Sequence, residues 1–166
     1  MRTAIRSLAA AALVATTAFV SAGPPWISIE YPANPYDAAS RGAVLLVHTF
    51  HHGTSVGYPV SGTAEGMVNG ARRTVSLEFK PTSRPGVYAL HKQWATEGVW
   101  TLVIGASQGT GEGNMATAVV ELASDGKVAS VDVPTRQRGQ WLIPASVSMA
   151  DVDAGLRARA ARLASR

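Results

Sequence analysis

The stretch that decides the fold is residues 59–106, PVSGTAEGMVNGARRTVSLEFKPTSRPGVYALHKQWATEGVWTLVIGA. Short apolar-alternating runs are cut at close intervals by the turn pairs Asn69-Gly70, Pro85-Gly86 and Glu97-Gly98. Runs of that length and spacing predict the strands of a β-sandwich, not helices. Within 71–80 the side chains of Val75, Leu77 and Phe79 fall on one face and those of Thr74, Ser76, Glu78 and Lys80 on the other. Asn69-Gly70 is the strongest hairpin signal in the chain, because both residues accept the left-handed backbone of a type I′ turn.

Working outward, further strands are expected over 26–31, 43–50, 58–68, 87–94, 99–105, 115–123 and 128–133. Residues 43–50 and 99–105 are apolar on both faces, which places them centrally in their sheets. Residues 135–147 read as a linker. Ser148 opens a helix over 148–166, with Asp151 three residues on and Val152, Leu156, Ala160 and Leu163 along one stripe. The expected fold is all-β: an immunoglobulin-like antiparallel β-sandwich of about seven to eight strands, spanning 23–134, with a short basic C-terminal helix.

The N-terminal residues carry an address. Arg2 and Arg6 precede an alanine-rich apolar run over 8–20, and Val20-Ser21-Ala22 offers small residues at a cleavage position. This pattern predicts a signal peptide over 1–22 and an exported, periplasmic or secreted product. The 166-residue chain contains no cysteine, which excludes disulfides, thiol catalysis and thiolate metal sites. A net charge of +4, with Arg2 and Arg6 lost on processing, gives no argument for nucleic-acid binding. No stable membrane anchor is expected in the processed chain.

The chemistry-bearing residues concentrate in His48-Thr49-Phe50-His51-His52, with His91 as the fourth histidine. Imidazole ligates copper, zinc and nickel, so His48, His51, His52 and His91 are the candidate metal ligands. On an extended strand His48 and His52 share a face while His51 points away, so a common site requires the strand to break. The plain alternative is a polar strand end running into a solvent loop. If successive strands run up and down, the connections 51–57, 81–86 and 106–114 share one end, which makes Arg84, Gln108 and Glu112 a candidate interaction surface with His51 and His52. Gly105-Ala106-Ser107-Gln108-Gly109 matches a nucleophile elbow in letters. It is followed by another strand rather than a helix, and every histidine precedes Ser107, so no hydrolase is expected. Nor does that glycine-rich loop carry the lysine and helix start of a phosphate cradle.

The run 59–106 resembles YtkA-like and FixH-like exported domains, immunoglobulin-like sandwiches distantly similar to the copper-resistance protein CopC. The resemblance rests on Pro59-Val60-Ser61-Gly62, on Arg84-Pro85-Gly86-Val87-Tyr88, and on the run Glu97-Gly98-Val99-Trp100-Thr101-Leu102-Val103-Ile104. It implies copper handling or a role in respiratory-oxidase assembly. Copper proteins of that group often use a histidine at the mature N-terminus and methionine- or histidine-rich loops. Here the processed chain begins Gly23-Pro24-Pro25, and Met67, Met115 and Met149 stand singly. Two functions follow as expectations. One is a non-enzymatic, copper-associated accessory protein using the histidines. The other is a metal-free module that contacts a periplasmic protein partner through its end loops and basic helix.

Overall fold

In the computed structural model, which describes residues 23–110 and 113–165, the turn pairs lie where the chain reverses. Asn69 and Gly70 take left-handed backbone, φ 50° and 75°, between β4 (Val60–Val68) and β5 (Ala71–Ser76). Gly98 does the same with φ 94°, and a side chain there would stand 2.6 Å from the Met67 carbonyl. The signal peptide expected over 1–22, and Glu112, lie outside the described residues.

Two antiparallel five-stranded sheets result. One has the order β1 (Trp26–Glu30), β2 (Leu45–His51), β7 (Val87–Leu90), β6 (Phe79–Pro81), with β3 (Thr54–Ser55) pairing back onto β2. The other has the order β10 (Val128–Asp132), β9 (Met115–Leu122), β8 (Val99–Ser107), β4, β5. The chain crosses between sheets after Ser76, so the single run 71–80 of the sequence reading is divided between β5 and β6. This is the two-sheet connectivity of an immunoglobulin-like sandwich.

Residue alternation accounts for the core. Ile27, Leu45, Val47 and Leu90 from one sheet meet Ala64, Trp100, Leu102, Ile104, Ala118 and Val120 from the other. Both strands read as apolar on two faces are indeed central. β2 lies between β1 and β7, and β8 between β9 and β4. Their second faces are covered differently. Leu46, with Val87 and Ala89, packs under Ala33 and Ala43 of the connection that follows β1. Val99 and Val103 of β8 pack against Val152, Leu156 and Ala160 of α1 (Met149–Ala164). Full burial of Leu156 contributes about 2 kcal/mol to holding that helix down.

Polar contacts fix the helix as well. Ser148 caps it, accepting from the Ala150 amide. Arg159 turns inward and donates to Thr101 Oγ1 at 2.9 Å, to the Trp100 carbonyl at 2.8 Å and to the Leu122 carbonyl at 3.1 Å. Arg72 of β5 reaches Asp153 at 2.6 Å and the buried Glu65 at 2.8 Å. Leu163, placed on the apolar stripe by its spacing, is 45% exposed and borders an open groove with Gly98 and Val99.

The segment read as a linker is structured. β11 (Thr135–Arg138) and β12 (Trp141–Pro144) form a hairpin of their own, joined to neither large sheet. A two-stranded ribbon accommodates proline at its ends, as Pro144 stands here. The base of the hairpin is closed by the Ala145 amide donating to the Pro134 carbonyl at 2.8 Å.

Candidate metal and recognition site at the loop end

The turn after β2 decides where the histidines go. His51 pairs with Thr54, leaving His52 and Gly53 as a two-residue loop with φ 48° and 78°. These values match those of Asn69-Gly70, so the chain makes a second type I′ hairpin turn with histidine in the asparagine position. Among the described residues only His52 and Asn69 hold positive φ without being glycine. Histidine tolerates this conformation better than most residues, though at some cost.

This geometry revises the strand reading of the cluster. His51 and His52 do not point apart, because the break falls at His52 itself. Their rings meet edge to face with centroids 4.3 Å apart. His51 Nε2 lies 3.2 Å from the Gly23 carbonyl, which can only accept, so that nitrogen donates in this contact and Nδ1 is not engaged by it. A ring N–H donated to a backbone carbonyl is the arrangement that orients ligating histidines in metal sites. His52 is exposed, and its ring borders Gly23, where an added Cβ would lie 3.1 Å from His52 Cε1.

The other two histidines are elsewhere. His48 lies on the outer face of its sheet, stacked on Phe50, with Nε2 2.8 Å from Glu30 Oε2. His91 places Nε2 3.4 Å from the Arg41 carbonyl, and its Nδ1 is buried with no partner among the described residues. The four expected ligands therefore do not form one site: only His51 and His52 come together. Among the described residues no group of three or more histidine, aspartate or glutamate side chains is placed to hold a metal ion.

The three connections do share one end of the sandwich. Ser55 Oγ donates to the Pro85 carbonyl at 2.7 Å, tying the loop after β2 to the loop before β7. Tyr58 OH donates to Gln108 Oε1 at 3.0 Å, and Gln108 Nε2 donates to the Gly23 carbonyl at 3.0 Å. The Tyr58 ring also meets His51 edge on, with centroids 6.4 Å apart. Gln108 is thus a structural member of the histidine end. Arg84, assigned to the same surface, turns toward Glu30 at 3.8 Å and Asp37 at 3.7 Å, on the side that holds His48.

Tyr58 and the Gly23 carbonyl are the site members that the sequence reading did not assign. The signal that points to them is the shared sandwich end, since both chain segments begin or end there. Grooves of about 290, 600 and 250 Å³ flank α1, and no histidine lines any of the three. No family model, curated protein or solved structure matches the chain.

Proposed function

We propose that this protein is an exported, non-enzymatic accessory protein that binds a late first-row metal ion, copper foremost, through His51 and His52. The observation that carries the reading is His52 held in left-handed backbone, with its ring against that of His51. A strained non-glycine residue in a turn that asparagine or glycine would fill at lower cost is a reason to suspect function. Two imidazoles suit copper, zinc or nickel, and they leave coordination positions for water or for a donor from a partner. Such an open site favours exchange over permanent storage. His48 and His91 belong to other parts of the surface and are not ligands in this reading.

The alternative is a metal-free recognition surface at the same end. It is favoured by the closed network among His51, Gly23, Gln108 and Tyr58, in which the polar atoms already satisfy one another. Calorimetric titration with Cu(II), Cu(I) and Zn(II) separates the two. Submicromolar binding that is lost in His51→Ala/His52→Ala supports the metal reading. Absence of binding, or binding indifferent to that variant, leaves the recognition surface.

A further inference from the structure

The β11–β12 hairpin presents the most exposed tryptophan of the described chain. Trp141 is 67% exposed and its neighbour Leu142 is 59% exposed. Two residues further on the ribbon is anchored, with Ile143 only 7% exposed and Pro144 buried. Apolar exposure in the ribbon is thus confined to the two residues that follow the turn at Gly139 and Gln140. Cross-strand register puts Arg138 opposite Trp141 and Gln137 opposite Leu142. No aspartate or glutamate occurs anywhere from residue 133 to residue 150.

We propose that this hairpin tip docks reversibly on an anionic lipid bilayer. The ribbon enters end-on, with Trp141 and Leu142 on its two faces at the boundary between headgroups and acyl chains and the Arg138 side chain reaching back to the phosphates. Tryptophan is favoured at that depth because its ring is amphipathic. Arg138, paired across the ribbon with Trp141, supplies the complementary charge, and a single arginine near an anionic surface strengthens binding about five-fold. Two side chains at the end of a ribbon bury too little to hold the protein permanently, so attachment depends on anionic lipid. A second copy of the chain fits the tip less well. Isologous contact across a two-fold axis would bring the two Arg138 side chains toward each other without a counter-charge on the ribbon.

The test is co-sedimentation with vesicles of pure phosphatidylcholine and of phosphatidylcholine containing phosphatidylglycerol. Wild type, Trp141→Ser/Leu142→Ser and Arg138→Gln are compared with one and the same N-terminus, so differences between them report the hairpin. Binding to the anionic vesicles should weaken at least about ten-fold in the double variant. It should weaken about five-fold in Arg138→Gln. Unchanged thermal midpoints confirm folding, and quenching of tryptophan emission by brominated lipid in the wild type gives a readout that needs no variant. The proposal is overturned by absence of binding to anionic vesicles, by equal binding of all three proteins, or by equal binding to neutral vesicles. It is equally overturned if sedimentation velocity shows a Trp141-dependent dimer, or if the tip captures an acidic protein while ignoring lipid.

Discussion

The indole of Trp100 occupies the space that any side chain at Gly66 would need. The two residues are directly paired across β4 and β8, and a Cβ at position 66 would stand 2.5 Å from the ring atoms Cε3 and Cζ3. Trp100 is held there by its own Nε1, which donates to the Glu97 carbonyl at 2.9 Å. Gly66→Ala therefore forces the ring or the strand to move. Destabilisation of about 1–3 kcal/mol is expected from urea unfolding, with a red shift in tryptophan emission.

Removing the guanidinium of Arg159 should loosen α1 without dissolving the sandwich. Its side chain is 11% exposed and serves two backbone carbonyls and the Thr101 hydroxyl. Arg159→Met keeps much of the stem packing and loses these bonds, at about 1.5–3 kcal/mol. Hydrogen exchange should then show residues 149–164 opening at lower free energy than β8, as expected of an element attached to a separate core.

Arg72 offers a comparable test nearer the start of the helix, where it pairs with Asp153. Arg72→Ala leaves the Glu65 carboxylate, 4% exposed, with only the hydroxyls of Thr63 and Thr74 beside it. Because Arg72 is 32% exposed, solvent offsets part of the loss, and about 2 kcal/mol is expected. Adding Glu65→Gln to that variant should restore part of the stability, since no buried charge then lacks its counter-ion.

The sandwich was legible because its signals are local. Alternation in 71–80, two-faced apolarity in 43–50 and 99–105, and the Asn69-Gly70 pair each constrain the backbone within a few residues. The β11–β12 hairpin was not legible, because Arg136, Gln137 and Arg138 show no apolar alternation and the ribbon is buried only at its base. The candidate site was half legible. The shared end of three connections followed from counting strand reversals. The meeting of His51 with His52 did not, since it depends on His52 taking the role that asparagine has in the other type I′ turn.

That substitution of roles yields a prediction of opposite sign to the others. His52→Gly removes the cost of a side chain in left-handed backbone and should stabilise the protein by about 1 kcal/mol in urea unfolding. The same variant should lose metal affinity. Stability gained as binding is lost is the pattern of a residue kept for function. A destabilised His52→Gly protein would instead assign His52 a packing role.

The most direct measurement is a residue-resolved one. Substoichiometric Cu(II) is added to protein with 15N-labelled imidazoles, and the four histidine ring signals are followed by long-range 1H–15N correlation spectra. A site built on His51 and His52 requires those two sets of signals to broaden away first and together, while His48 and His91 persist. Broadening that begins at His48 or His91, or that leaves all four untouched, contradicts the account.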